Sequence, residues 1–280
     1  MKNNLISISG KAGSGKDTVG NILQYLDSNL YKKDNFTYKQ FVNSLGKNYN
    51  ANHLHNYQIK KFADKLKDMV CLLTGYTREQ LEDREIKDKE LGWEWSYWKG
   101  SIGGRKFATK EEAEDDEIFE FDSDGSCVTK KVHTPRTLMQ ILGTEAGREL
   151  IHPNIWVNAL FADYKVRYTE EEATKENKQN GSCIKKHKPN WIITDVRFPN
   201  EVKAIKDRGG IVIRVERPEE VVATHQVFLE NNKGNCIKSI TLGEHPSETA
   251  LDDYKDFDHV IDNNGSIEEL VEKIKKLNLV

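Results

Sequence analysis

Apolar residues along this chain keep two rhythms, and the switches between them mark its elements. Leu5, Ile6 and Ile8 form a short β-like run at residues 5–9, after which Val19, Ile22, Leu23 and Leu26 recur at helical spacing. Residues 57–61 predict a second short strand, followed by a helix with Phe62, Leu66, Met69, Val70 and Leu73 on one stripe. Thr77, with Gln80 three residues on, has the pattern of a capping box and starts a helix running to about Leu91. Thr134 caps another, with Pro135 at its first position and Leu138, Ile141 and Leu142 pointing one way. A further helix follows His152 and Pro153 and bears Trp156, Val157, Leu160, Phe161 and Tyr164. The remainder alternates again: a strand at 191–196, a helix at 200–208 stopped by Gly209 and Gly210, and strands at 211–216 and 259–262. Ser266 then caps a closing amphipathic helix with Ile267, Leu270, Ile274 and Leu277. This βαβα rhythm predicts an α/β fold, with a central parallel sheet covered by helices on both faces.

Three polar stretches interrupt the rhythm. Residues 29–56 read as an irregular insertion and 169–188 as a charged connector. Residues 93–132 read as a longer insertion, with Trp93, Trp95, Tyr97 and Trp98 crowded together and an acidic run from Glu111 to Asp124. Its DSDG at 122–125 turns a predicted hairpin between 118–121 and 127–132. It is not a calcium loop, because the twelfth position from Asp122 is His133 and not a bidentate Glu. The aromatic cluster suits a small satellite core, and stacking on a base is the alternative.

Composition narrows the function. The 42 basic and 45 acidic residues leave a net charge of −3, which gives no global field for a nucleic-acid polymer or an anionic membrane. No apolar stretch approaches the roughly 20 residues of a membrane span, and no signal-peptide core is present, so a cytoplasmic protein is expected. The four cysteines, Cys71, Cys127, Cys183 and Cys236, lie far apart, so free thiols are expected.

The chemistry begins at residues 10–18, GKAGSGKDT, set between the first strand and the first helix. Gly10, Gly15 and Lys16 fit the GxxxxGK phosphate-binding frame, in which backbone N–H groups turn onto a phosphate and the lysine reaches the β and γ oxygens. Gly13, Ser14, Gly15, Lys16, Asp17 and Thr18 are therefore the candidate triphosphate-binding residues. The frame puts a Mg²⁺-binding hydroxyl directly after the lysine, whereas here Asp17 stands there and Thr18 follows.

Phosphoryl transfer needs positioning and cations. Outside the loop, Lys67, Arg84, Arg136, Arg148, Arg197 and Arg217 are candidates. Asp195 ends an apolar run, which places a carboxylate at the strand edge where ligands sit in doubly wound sheets. Arg197 and Glu201 follow within reach of the same cleft. Asp195 suits a Mg²⁺-holding acid with Arg197 clamping phosphate, or a structural Asp195–Arg197 ion pair. Arg136, Gln140 and Thr144 recur at four-residue steps and offer hydrogen bonds to a nucleotide.

Five segments in order, GKAGSGKDT, FADKLK (62–67), TPRTLMQILGTEAGR (134–148), ITDVRFPNE (193–201) and HPSE (245–248), resemble the deoxynucleoside monophosphate kinases of tailed bacteriophages. The resemblance implies a P-loop NTPase fold of the nucleoside monophosphate kinase type, one domain over 1–280 with three layers. A helical acceptor-binding region would span 62–165, the 93–132 insertion within it, and a lid-like segment would span 218–253. It implies ATP + dNMP = ADP + dNDP for phage DNA precursor synthesis in the host cytoplasm, with Mg²⁺ as cofactor and no membrane or nucleic-acid polymer as partner.

Lys16, Asp195, Arg197 and Glu201 match its active centre, and Asp17, Thr18 and Asp195 are the candidate Mg²⁺ ligands. Lys67, Arg136, Gln140, Gly143, Thr144 and Trp156 match acceptor-nucleotide positions, and Arg84 joins them as a substrate-binding candidate. Asp17 after the lysine is itself a mark of this family, while Lys65 stands where members commonly have Pro. Homodimerisation stays open, as do ligand roles for His245, Ser247 and Glu248. Rival readings are a P-loop kinase for another phosphorylated acceptor, dephospho-coenzyme A or phosphomevalonate, and a nucleotide-switched binding protein.

Overall fold

The computed structural model describes residues 3–28, 36–45, 56–99, 105–107, 120–121, 127–170, 184–217 and 249–280. The chain opens with β1 (Leu5–Ser9), α1 (Lys16–Asp27), α2 (Tyr38–Leu45) and β2 (Gln58–Lys60). It continues through α3 (Asp64–Thr74), α4 (Arg84–Asp88), β3 (Ser96–Lys99), β4 (Arg105–Phe107), β5 (Glu120–Phe121) and β6 (Cys127–Val132). Next come α5 (Pro135–Ile141), a π-helix (Leu142–Ile151), α6 (Ile155–Phe161), β7 (Arg167–Glu170) and β8 (Ile184–His187). The last elements are β9 (Trp191–Val196), α7 (Pro199–Lys206), β10 (Ile211–Glu216), β11 (His259–Asp262) and α8 (Ile267–Lys276). They fall into two compact units, residues 1–62 with 157–280 and residues 63–156.

The first unit holds a five-stranded sheet in the order β11-β10-β1-β9-β2, and every neighbouring pair is parallel. A parallel sheet is covered on both faces, so its central strands are apolar almost throughout, as the run at 5–9 predicts. Ile6 and Ile8 of β1, Ile192 of β9 and Ile213 of β10 are fully buried, and they pack with Val19, Ile22 and Leu23 of α1 and Leu270 and Ile274 of α8. Successive connections from β1 run first toward β2 and later toward β10 and β11, so the carboxyl edge of β1 is where the strand order reverses. Ligands of open α/β sheets bind at such an edge.

Two polar stretches of this unit prove more ordered than their composition predicts. Within 29–56, Thr37 and Gln40 cap α2 reciprocally, and Phe41 of that helix is fully buried against Tyr25. A single T-x-x-Q pattern and two aromatics hold a helix that the surrounding Asn and Lys residues obscure. Within 169–188, β7 and β8 pair antiparallel from Arg167↔His187 to Glu170↔Ile184, because backbone ladders form whatever the side-chain polarity.

In the second unit, Val70, Leu81 and Leu138 make a small core, with Leu91, Trp95 and Leu142 packed on it. The predicted stripe on α3 is only partly buried: Val70 is inside, while Met69 is 43% and Leu73 is 52% exposed. The helix that begins at Asp64 turns Val70 and Cys71 toward Leu81 and Leu138, and that face is narrower than the apolar stripe. The capping box at Thr77 and Gln80 forms, but no helix runs on to Leu91. Asp83 takes the N–H groups of Glu85 and Ile86, which ends one turn and starts the short α4. Residues 93–132 contain an antiparallel sheet of order β4-β3-β6-β5. The predicted hairpin is present as Glu120↔Val128 and Phe121↔Cys127, with its turn outside the described residues. Burial of Trp98 and the packing of Trp95 favour the satellite core over a base-stacking platform. Among the described residues no helix is long and apolar enough to cross a membrane.

Candidate active site

The phosphate loop leaves the carboxyl end of β1 and enters α1 at Lys16, so the backbone must turn within Gly10–Gly15. Two positions admit only glycine. At Gly10 a Cβ would lie 2.4 Å from Ser14 Oγ and 2.6 Å from the Val215 carbonyl oxygen. Gly15 caps α1 with φ 97°, a left-handed conformation, and a Cβ there would meet Asn263 Nδ2 at 2.4 Å. Asn263, just past β11, donates that amide to the Ser14 carbonyl at 2.8 Å and fixes the loop from outside. Arg217 reaches the Gly13 carbonyl at 3.4 Å.

Three features of the loop fit a polyphosphate. The N-terminus of α1 offers its first-turn N–H groups and its positive dipole end. Lys16 Nζ bridges the Gly10 and Lys11 carbonyls at 2.7 and 2.6 Å, which holds the ammonium over the loop. Ser14 Oγ is buried with no hydrogen-bond partner among the described residues, the kind of orphaned polar atom that a ligand satisfies.

Beside the loop stand two carboxylates on different elements. Asp17, in the first turn of α1, accepts from Thr194 Oγ1 at 2.7 Å and pairs with Lys61 Nζ at 2.9 Å, both through Oδ1. Desolvation opposes its charge, but the Thr194 and Lys61 hydrogen bonds and the charges of Lys61 and Lys16 hold its carboxyl below the usual value. Gly20 lets Thr194 approach α1: a Cβ there would sit 2.7 Å from Thr194 Cγ2. Asp195 Oδ1 accepts from the Phe62 backbone N–H at 2.8 Å. Glu201 is 1% exposed, and its Oε2 accepts from the backbone N–H groups of Arg197 and Phe198 at 2.7 and 3.1 Å. That geometry shapes the turn from β9 into α7, and so sets where Arg197 sits.

Hard oxygen donors suit Mg²⁺, which keeps several waters and takes one or two carboxylates together with substrate phosphates. Asp17 and Asp195 supply such donors, with the Thr18 hydroxyl in the same turn of α1. Among the described residues no group of three or more His, Cys, Asp or Glu gathers into an all-protein metal cage.

The second unit carries the remaining candidates. Lys67 pairs with Glu82, and Arg136 grips Asp88 through Nε and, at 3.1 Å, through Nη2. The hydrogen bond from Arg136 holds the Asp88 carboxyl below its usual range, with Arg84 and Lys87 adding to the effect. Lys87 belongs to the same cluster: burial pushes its ammonium pKa down, and the neighbouring charge of Lys67 pushes it further. Glu82 and Asp88, within the same cluster, offset part of that repulsion. Gln140 is exposed on α5, and Thr144 and Arg148 lie partly buried in the π-helix that follows. Trp156 is buried; its Nε1 donates to the Gly143 carbonyl at 2.8 Å, and its ring lies against Gly147, where a Cβ would come within 3.0 Å. It therefore locks the π-helix, a rare winding that concentrates at functional sites.

Lys61 and Asn263 had no signal in the sequence, since each acts through a neighbour remote in the chain; Thr194 lies in the quoted 193–201 segment, but its contact with Asp17 was not legible there. His245, Ser247 and Glu248, with 218–248 of the lid-like segment, lie outside the described residues.

Comparison with known proteins identifies the family. The family model for deoxynucleotide monophosphate kinase matches residues 4–274. A deoxynucleoside-5′-monophosphate kinase of Escherichia phage T5 is 24% identical over 271 residues, 88% of this chain and 84% of its own length. A putative deoxynucleotide monophosphate kinase of Acanthamoeba polyphaga mimivirus is 29% identical over 144 residues, 50% of this chain and 59% of that protein. The chain thus spans about three fifths of the mimivirus relative's length.

Proposed function

We propose that this chain, which belongs to the deoxynucleotide monophosphate kinase family, transfers the γ-phosphoryl group of ATP to the 5′-phosphate of a deoxynucleoside monophosphate. A phosphate oxygen of the acceptor forms the new bond to Pγ, and the bond from Pγ to the β,γ-bridging oxygen breaks, giving dNDP and ADP. The observation that carries this reading is the preformed phosphate cradle at the sheet's switch point, with Ser14 Oγ orphaned and Asp17 and Asp195 alongside.

Each residue's share follows from where it is held. Gly13, Ser14 and Gly15 present the cradle, and Lys16 neutralises the charge that spreads over the transferring oxygens. Asp17, Thr18 and Asp195 would hold Mg²⁺, which would supply positive charge to offset that of the donor's phosphates. Arg197 faces developing charge, with Glu201 as its positioning residue through the backbone N–H groups it accepts. Lys67, Arg84, Lys87 and Arg136 form the cationic receptor for the acceptor's phosphate, while Gln140 and Thr144 recognise the nucleoside on a platform kept in shape by Trp156 and Gly143. The reaction takes place in the host cytoplasm on small nucleotides.

A coupled assay of ADP release across a panel of dNMPs tests the reading. Turnover is expected with at least one dNMP and is lost in Lys16→Ala; no turnover with any, or full activity in that variant, overturns it. The rival acceptors, dephospho-coenzyme A and phosphomevalonate, and the nucleotide-switch reading are not favoured by the family.

A further inference from the structure

Lys61 lies outside the phosphate loop, yet its ammonium stands 2.9 Å from Asp17 Oδ1, on the oxygen that Thr194 also reaches. Sheet register explains how. β2 runs parallel to β9 with Lys60 opposite Ile193, so the next two residues, Lys61 and Phe62, come abreast of Thr194 and Asp195. The chain leaving β2 thereby touches both carboxylates of the site, Asp17 through the Lys61 side chain and Asp195 through the Phe62 N–H.

We propose that Lys61 is a positioning residue, the resident counter-cation of Asp17, which holds that carboxylate beside the phosphate loop and yields its place to the Mg²⁺ that arrives with the nucleotide. The inference rests on the loop being the ATP site. A carboxylate in the first turn of α1 faces the space where the β- and γ-phosphates sit. Left unbalanced there, it repels them, because like charges a few ångströms apart oppose one another. A cation must offset Asp17 at every stage, and Lys61 and Mg²⁺ seek the same oxygens. Lys61 therefore matters most when metal is absent. An ordinary surface ion pair, by contrast, has little effect and acts equally with and without metal.

Calorimetric ATP binding to the full chain, in EDTA and in saturating Mg²⁺, separates the two cases. Lys61→Met is expected to weaken metal-free ATP binding about tenfold and Mg²⁺-bound ATP less than about threefold. Lys61→Gln, a smaller change that also removes the charge, is expected to give the same pattern, and Lys61→Arg to restore both affinities. Equal losses in the two conditions, or none, overturn the role of Lys61. Absence of ATP binding in the unsubstituted chain instead overturns the reading of the loop, and with it this inference.

Discussion

The two units hold their functional groups in opposite ways. In the parallel-sheet unit, the groups around the phosphate loop are fixed largely by backbone and by neutral partners, Asn263 on the Ser14 carbonyl, Thr194 on Asp17, and the Phe62 N–H on Asp195, with Lys61 adding an ion pair to Asp17. In the 63–156 unit, cations are held by carboxylates that are half exposed, Lys67 by Glu82 and Arg136 by Asp88. Neutral, directional contacts from a sheet edge leave little freedom, which suits the place where bonds form and break. Ion pairs at a wet surface contribute little to stability and exchange easily, so an incoming phosphate can replace the carboxylate. Chemistry should therefore depend on the first unit and acceptor affinity on the second.

The largest test of that division is Lys16→Ala, expected to lower turnover by about 10²–10³-fold with the fold intact by circular dichroism. Gly15→Ala comes next. A side chain at φ 97° that also meets Asn263 carries strain of about 1–3 kcal/mol, so ATP affinity is expected to fall roughly tenfold or more, measured by calorimetry. Arg136→Gln should act on the other half alone, raising the KM for dNMP about tenfold through loss of a bidentate cation while the KM for ATP stays within about twofold. A matching rise in the ATP KM would break the comparison.

The smallest expected effect is on pH dependence. Burial pushes the Tyr57 hydroxyl in the first unit up to about 12 from an ordinary 10.0, with Asp27 adding to the shift. A group raised by folding stabilises fully below its unfolded value, so this contribution is present below about pH 10 and fades as pH rises toward 12. Asp88 in the second unit is lowered by Arg136, so its contribution is present above the ordinary 3.8 and fades as pH falls below it. Denaturant unfolding followed at several pH values should show Tyr57→Phe flattening the alkaline limb and leaving the acid limb unchanged. A change confined to the acid limb would reverse the assignment.

Much of this could be read from residues in order. The βαβα rhythm, the caps at Thr134 and Ser266 and the GKAGSGKDT loop are local signals, carried by periodicity, hydrogen-bonding side chains and glycines within a few positions of one another. Illegible were the α2 helix, whose two aromatics sit in a polar stretch, and the break at Asp83, where one side chain outcompetes helix propagation. The π-helix was equally hidden, since its widened turn is stabilised by the bond from Trp156 to Gly143.

The sequence by itself determined that a strand feeds a glycine-rich loop into a helix and that an acid lies near the carboxyl end of a second strand. Both are consequences of short-range pattern, and both persist in the fold. Only the tertiary structure decided what surrounds Asp17. Residues 17, 61 and 194 are widely separated in the chain, and they meet because parallel pairing sets β2 beside β9 and Gly20 lets α1 lie close to Thr194. Strand order and register depend on the burial of whole faces, which no single segment encodes.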